Sequence, residues 1–418
     1  MTVDEDRRKT AGARRGLIIK TLSRELDATR PTSASSRLDR LLEDQTDRPL
    51  IVSGDIDGLV SAGMLAAVAK PGWRAVALVL KSGQVLVHPD HADDLELTDC
   101  FGVDVYSTYF DNVSNHVALW GGKRPDSDQA AFAAAQAYDD EVLRRSGDTL
   151  LASPSLWARI QGSQSGAAGT HDSAGYRYPL GTAQVLLAML EAVGRSPRMF
   201  DREYLPWLIA NCDGGLASFA RYPHNVPLWW SCLAAAVGPA SLSEAIYQTA
   251  ARQAPIDFVH AVNKLRAETQ LVDGGPASAL NDSWNLQNQD PDSVRVVVSW
   301  ISSLSGWPDP FLGGAESLDA WITKSLDHRG TLSTSGLPLS KDDPPEDRVA
   351  AFKGHLRASL DAVHTNFAHF DGQQRLNWVA PWDGAEASHR PAVPAVLADP
   401  ATGSSADLAN AAKKNVVI

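Results

Sequence analysis

The spacing of apolar residues divides the chain into a helical start, an α/β section and a long helical continuation. Residues 16–45 repeat apolar side chains at helical intervals and are interrupted at Pro31, which predicts helix, turn, helix. Between residues 49 and 111, short β-rich runs alternate with turn residues: PLIVSG, WRAVALVLK, QVLVHPD and VDVYSTYFD. Helical SAGMLAAVAK separates the first two, and strand, helix, strand with apolar strands is typical of a parallel sheet covered on both faces.

The rest of the chain has a different character. Residues after 128 are mostly helix-forming, and VRVVVSWISSL at 294–304 predicts one more strand in a separate α/β part. From about residue 383 onward Pro, Ala, Gly and Ser dominate, which favours loose order. The predicted divisions are a helical lead-in (1–47), a parallel-sheet α/β domain (48–128), a helical continuation (129–272), a smaller C-terminal α/β domain (273–382) and a tail (383–418).

The composition and charge of the chain limit its expected cellular location and its expected binding partners. No apolar run reaches the roughly 20 residues of a membrane span, and the N-terminal MTVDEDRRKT is charged where a secretory signal needs an apolar block. We therefore expect a cytoplasmic protein with no membrane partner. Three scattered cysteines agree with a reducing compartment. The net charge of −12 argues against sequence-blind duplex binding and favours a small or single-stranded substrate.

Acidic residues follow several of the predicted strands. Asp55 and Asp57 come directly after the first strand, Asp90 ends QVLVHPD, and Asp111 ends VDVYSTYFD. Asp213 follows the apolar YLPWLIANC and precedes two glycines. Ligands of open α/β sheets bind beyond the carboxyl ends of the strands, so we expect these acids to converge there around a divalent cation.

The nature of the donors indicates which cation. Oxygen-rich sites with at most one imidazole suit Mn²⁺ or Mg²⁺ better than zinc, and the available imidazoles are those of His88, His91 and His116. A simpler interpretation of the acid pair is that it stabilises a helix N-terminus, where a carboxylate accepts hydrogen bonds from free N–H groups. That interpretation explains one acid more readily than two.

The segment SGDIDGLVSAGML resembles the first motif of the DHH phosphoesterase family, an Asp-x-Asp-Gly after the first strand followed by a small-residue helix. By this resemblance Asp90 takes the place of the second motif, Asp111 that of the Asp-His-His triplet, and Asp213 that of the last motif. The triplet reads Asp111-Asn112-Val113 here, with His116 as the nearest imidazole, and Ser53 stands where the family has His or Asp. The resemblance covers about residues 48–220.

The resemblance implies a DHH-like N-terminal domain and metal-dependent hydrolysis of a phosphodiester in a nucleotide or a short or single-stranded nucleic acid. Asp55, Asp57, Asp90, Asp111 and Asp213 would then hold Mn²⁺ or Mg²⁺, and His116 would be a ligand or the catalytic acid. In WGGKR, nine residues after Asp111, Lys123 or Arg124 would hold the substrate's phosphate.

Other interpretations remain open. One alternative is a catalytically degenerate DHH-like subunit that binds a protein partner or a second copy of itself. SGDIDGLVSA also resembles an ATP-pyrophosphatase loop, except that Asp55 replaces a glycine that would cradle phosphate. A haloacid-dehalogenase motif would use Asp55 as nucleophile, but Leu59 stands where that motif has Thr or Val. A calcium loop is excluded because Ala66 occupies its twelfth position.

Overall fold

The structure is a computed structural model. It describes residues 3–44, 46–80, 84–96, 99–108, 110–115, 129–152, 180–198, 205–213, 225–251, 254–268, 279–280, 286, 288, 290–325, 329–333, 344, 346–347, 349–350 and 375–379. The helices are α1 Val3–Leu26, α2 Ala34–Glu43, α3 Ile56–Val68, α4 Gln129–Thr149, α5 Thr182–Ala192, α6 Leu205–Ala210, α7 Asn225–Val237, α8 Leu242–Ile246, α9 Pro255–Glu268 and α10 Pro291–Ser305. The strands are β1 Leu50–Ser53, β2 Ala75–Val79, β3 Gln84–Val87, β4 Phe101–Val103, β5 Asn112–Val113, β6 Ile322–Ser325, β7 Arg329–Ser333 and β8 Arg375–Val379.

Within the described residues, six strands form one mixed sheet in the order β5-β4-β1-β2-β3-β6. Strands β5, β4, β1 and β2 run parallel, β3 is antiparallel to β2, and β6 is antiparallel to β3. The remaining described pair, β7 and β8, forms a separate antiparallel ribbon. The chain is therefore an α/β protein, as predicted, although its sheet is mixed rather than parallel.

The central strands are buried along their whole length, which explains their uninterrupted apolar runs. All four residues of β1 and all five of β2 are buried. Helix α3 connects these two parallel strands, and α5, which is also almost entirely buried, packs against α3. A parallel pair needs such a crossover, and the crossover covers one face of the sheet.

The N-terminal helices form as the sequence predicts. The Ser33 side chain accepts a hydrogen bond from the N–H of Ser36 and so caps the start of α2. Apolar side chains of both helices, among them Ile18, Leu22 and Leu38, are buried in the main core. The lead-in is thus part of the same packed body as the sheet.

The prediction of a strand at 294–304 is wrong, because this segment lies inside the helix α10. Asp290 caps the helix through the N–H of Ser293, Pro291 occupies its first turn, and Gly306 ends it in the left-handed conformation. The apolar residues recur at helical spacing along one face of this helix, and those on that face, among them Val294 and Val297, are buried. Strand β6 follows, and it extends the N-terminal sheet by pairing with β3.

No helix in the described part of the chain combines the length and the apolar character that a membrane span requires.

Candidate functional site

Four aspartates, Asp55, Asp57, Asp104 and Asp213, form an acid cluster at the point where the order of the strands changes direction. From β1 the chain proceeds through α3 to β2 on one side, whereas β4 adds to the other side of β1. The carboxyl ends of β1 and β4 therefore border the crevice in which open α/β sheets bind ligands. Asp55 follows β1 and Asp104 follows β4, so each strand delivers a carboxylate to this crevice.

Asp55 begins α3. Its Oδ1 accepts a hydrogen bond of 3.0 Å from the N–H of Gly58, and its backbone is extended, as expected of an N-cap. Gly58 allows the helix to pass close to the strand it follows, because a Cβ there would lie 2.3 Å from the carbonyl oxygen of Ser53. The Asp-x-Asp-Gly motif is thus explained in part by a tight strand-to-helix turn, and Asp55 fits the helix-capping interpretation.

Asp57 caps a different helix. Its two carboxylate oxygens accept hydrogen bonds from the N–H groups of Thr182 and Ala183, each at 2.7 Å, in the first turn of α5. The residue before the helix, Gly181, has no side chain to serve as a cap, and its N–H is bound by the side chain of Gln184. A Cβ on Gly181 would lie 2.7 Å from Oδ2 of Asp57, so the close approach of Asp57 requires glycine here.

Asp104 is held by the same turn of α5. The Thr182 hydroxyl donates to Oδ1 of Asp104 at 2.6 Å, and it accepts the N–H of Asn115 at 3.0 Å. Accepting that N–H fixes the direction in which the hydroxyl donates. Asp104 is fully buried and adopts a positive φ of 55°, a conformation uncommon for residues other than glycine. This backbone turns sharply at the end of β4.

Asp213 approaches from α6 and is the most accessible member of the cluster. Its Oδ2 accepts a 3.1 Å hydrogen bond from the side-chain amide of Asn115, which lies just beyond the end of β5. Asp213 is partly exposed, whereas Asn115 is buried. Among the described residues, the cluster is therefore fully buried at Asp57 and Asp104 and partly accessible at Asp213.

Asp57 and Asp104 lie close enough to the other carboxylates of the cluster for the neighbouring charges to change their pKa values. Burial raises the pKa of Asp57 well above that of an exposed aspartate, and the charges of Asp213 and Asp55 raise it further, while the bonds from Ala183 and Thr182 lower it in part. Burial likewise raises the pKa of Asp104, with added contributions from the same neighbours and from Asp57. The sulfur of Cys212, also buried, has its thiol pKa raised by burial and by these four carboxylates. Burial and the neighbouring charges thus disfavour the charged forms of Asp57 and Asp104.

Two of the predicted ligands lie elsewhere. Asp90 is in a short 3₁₀ turn after β3. Because β3 is antiparallel to β2, this turn lies at the amino edge of the sheet, which is formed by the amino ends of the parallel strands, and the acid cluster lies at the carboxyl edge, formed by their carboxyl ends. The Asp90 side chain is 81% exposed. Asp111 precedes β5 instead of following a strand, and its carboxylate pairs at 2.9 Å with Arg48, which precedes β1. The structure therefore brings Asp55, Asp57 and Asp213 together and places Asp90 and Asp111 elsewhere.

The structure adds three residues that the sequence interpretation did not single out: Asp104, Asn115 and Thr182. Of the other predicted site residues, His116, Lys123 and Arg124 lie outside the described residues. His88 and His91 lie near Asp90, away from the strand ends that carry the cluster.

The cluster offers oxygen donors, but it is not a preformed metal cage. In the part of the chain that the structure describes, no group of three or more His, Cys, Asp or Glu side chains is arranged to hold a metal ion. Both oxygens of Asp57 and one oxygen of Asp104 already accept hydrogen bonds. A carboxylate has about four lone-pair directions, so these oxygens retain acceptor capacity.

A second polar region lies beside β5, where Leu150 and Leu151 run alongside Asn112. A cavity there is lined by Glu25, Arg37, Asp148 and neighbouring residues, and the cluster carboxylates are not among its described lining residues. Arg37 donates to the carbonyl oxygens of Gly147 and Leu150 and so fastens α2 to the end of α4. This arginine therefore has a structural role.

No protein-family model matches the sequence, and no curated protein or solved structure is significantly similar to it.

Proposed function

We propose that the acid cluster binds Mn²⁺ or Mg²⁺ and that the protein is a DHH-like phosphoesterase that hydrolyses a phosphodiester in a nucleotide or a short or single-stranded nucleic acid. The observation that supports the proposal most is the meeting of Asp55, Asp57, Asp104 and Asp213 at the carboxyl edge of β1 and β4. Mutual repulsion among buried carboxylates is costly, and a divalent cation is the usual compensation.

The donor chemistry fits such a cation. Carboxylate and amide oxygens are the ligands that Mg²⁺ and Mn²⁺ prefer. The cluster carboxylates come from three segments: the β1–α3 turn, the end of β4 and the segment after α6. When bound, the cation would polarise the phosphoryl group and promote ionisation of the attacking water.

The protein's own residues would hold and orient these groups. Thr182 fixes the orientation of Asp104, the first turn of α5 fixes Asp57, and Asn115 fixes Asp213. The N-termini of α3 and α5 both point at the cluster, and their positive ends favour an anion there. Asp213, which is partly exposed, is the member of the cluster that a phosphoester would meet first. His116, directly after Asn115 in the chain, remains the proposed acid, and Lys123 or Arg124 the proposed phosphate contact.

Metal-dependent melting tests the site first. Mn²⁺ should raise the melting temperature of the wild type and of Asp90→Asn, because Asp90 lies at the other edge, but it should leave Asp57→Asn unchanged. At a concentration 100 times the Kd, binding stabilises by about 2.7 kcal/mol. Hydrolysis of bis(p-nitrophenyl) phosphate and of a labelled dinucleotide, with and without Mn²⁺, then tests the reaction. Absence of any Mn²⁺ response in the wild type would overturn the proposal.

A second candidate is a non-catalytic subunit that binds a protein partner or another copy of itself. It is favoured by the capping geometry: Asp55 caps α3 and Asp57 caps α5, so both acids of the motif have a structural explanation without a cation. This candidate predicts that Asp57→Asn destabilises the fold equally with and without Mn²⁺, and that no phosphodiester is hydrolysed.

A further inference from the structure

Asn115 is a buried residue of the cluster, and its side-chain amide is only partly hydrogen-bonded among the described residues. Only 1% of the residue is exposed, and its Oδ1 accepts no hydrogen bond from any residue that the structure describes. A buried amide oxygen left without a donor costs about 1–3 kcal/mol, so such an atom calls for an explanation.

The amide is oriented by its other atoms. Its Nδ2 donates to Oδ2 of Asp213, and the backbone N–H of Asn115 donates to Thr182, whose hydroxyl binds Asp104. Turning the amide over would place Oδ1 against the Asp213 carboxylate, two acceptors face to face. The amide therefore keeps its nitrogen on Asp213, and its oxygen remains in the immediate neighbourhood of the cluster.

We propose that Oδ1 of Asn115 is a neutral ligand of the divalent cation, added to the cluster carboxylates. This inference rests on the proposed function. A neutral oxygen is suited to this position because the cluster already holds four acids, and a fifth negative charge would increase the repulsion that burial makes costly. The resulting shell consists of oxygen atoms, which favours Mg²⁺ and Mn²⁺ over zinc.

The position in the fold agrees with this role. The carboxyl ends of β1, β4 and β5 lie at one edge, and they are followed by Asp55, Asp104 and Asn115 respectively. Asn115 thus takes, beside β5, the place that each acid takes beside its own strand. The sequence interpretation ended the strand VDVYSTYFD at Asp111, which the structure places directly before β5.

Calorimetric titration of Mn²⁺ into the full chain tests the inference with three variants. Asn115→Ala removes the oxygen and should weaken Mn²⁺ binding by about 10- to 100-fold. Asn115→Asp retains an oxygen but loses the N–H donor to Asp213, so it should bind Mn²⁺ at least as tightly as the wild type. Without Mn²⁺, Asn115→Asp should melt at a lower temperature than the wild type, because it adds a fifth carboxylate, and Mn²⁺ should raise its melting temperature by more.

Asn112→Ala is the matched control. Asn112 is the same residue type at the amino end of β5, where its amide bonds the carbonyl oxygens of Ser107 and Phe110. Its substitution should lower the melting temperature and leave the Kd for Mn²⁺ within about twofold of the wild-type value, a change too small to reflect a lost ligand.

The outcomes separate this inference from the proposed function. If Asn115→Ala binds Mn²⁺ as the wild type does while Asp57→Asn does not, the amide oxygen is no ligand and the proposed function stands. If Asn115→Asp binds as weakly as Asn115→Ala, Asn115 acts only as a donor that positions Asp213, and the inference is wrong. If the wild type itself does not bind Mn²⁺, both the inference and the proposed function fail.

Discussion

The two edges of the sheet place the same residue type in opposite circumstances. At the carboxyl edge, Asp57 and Asp104 are fully buried, and their pKa values are raised by burial and by neighbouring acids. At the amino edge, Asp111 pairs with Arg48 and Asp90 lies largely in solvent. An aspartate in solvent or beside an arginine is an ordinary surface feature. An aspartate that is buried next to other aspartates requires a compensating interaction, and this requirement distinguishes the acid cluster from the acids at the amino edge.

The largest expected effect is that of removing Asp57. Asp57→Ala leaves two N–H groups of α5 without their acceptor, and each buried unsatisfied donor costs about 1–3 kcal/mol. Relief of repulsion within the cluster offsets part of this loss, so we expect a net destabilisation of about 2–4 kcal/mol. Urea unfolding measures it, with Asp90→Ala as control, which should stay within about 0.5 kcal/mol of the wild type. Equal destabilisation by Asp57→Ala and Asp90→Ala would contradict the difference between the two edges.

Gly181→Ala should follow. Its Cβ would lie 2.7 Å from Oδ2 of Asp57 and 3.1 Å from the backbone nitrogen of Asp213, so one of these must move. We expect a destabilisation of about 1–3 kcal/mol, typical of overpacking, together with weaker Mn²⁺ binding. The control is Gly147→Ala in α4, where a Cβ meets no atom within 4 Å. That change should be neutral or slightly stabilising, because alanine has the higher helix propensity. A stable, Mn²⁺-binding Gly181→Ala protein would contradict the close packing of the cluster.

The cluster also predicts a pH dependence. Because the pKa values of Asp57 and Asp104 are raised in the folded state, the native protein binds more protons than the unfolded chain. The favourable contribution is complete below the ordinary aspartate pKa and is lost as the pH rises through the raised values. In EDTA, the free energy of unfolding should therefore decline from mildly acid pH upward more steeply for the wild type than for Asp57→Asn. Matching slopes would mean that Asp57 is not strained by its neighbours.

The smallest effect is expected at the amino edge. Arg48 and Asp111 form a partly exposed ion pair, 21% and 29% accessible, and such pairs are worth about 0–1 kcal/mol. Asp111→Asn should therefore lower stability by less than 1 kcal/mol and leave the response to Mn²⁺ intact. A loss of Mn²⁺ binding in this variant would return Asp111 to the ligand set that the sequence predicted.

The sequence predicts the β1–α3 segment well because its signals are local. An apolar run, a capping acid and a glycine that permits close packing all fall within residues 50–58. Asp104 escaped prediction because β4 is only three residues long and the turn after it contains Val105, Tyr106 and Phe110. These side chains are buried for reasons of tertiary packing, and they made the strand seem to continue as far as Asp111.

The length of the connection before β3 already indicates that Asp90 lies away from the acid cluster. Only residues 80–83 separate β2 from β3, and a connection this short joins antiparallel strands, since a parallel pair needs a dozen or more residues. The acid after β3 therefore belongs to the opposite edge. The contacts of Asp57 with Thr182 and of Asn115 with Asp213 span 125 and 98 residues, and no local pattern encodes them.

The most direct test of the central claim compares the melting of Asp104→Asn and Asp111→Asn as Mn²⁺ is added. Asp104 came from the structure and lies in the cluster, whereas Asp111 came from the sequence and lies at the other edge. We predict that Mn²⁺ stabilises Asp111→Asn as strongly as the wild type and stabilises Asp104→Asn little or not at all. Equal stabilisation of both variants, or loss of it in Asp111→Asn alone, would contradict a cation site at the carboxyl edge.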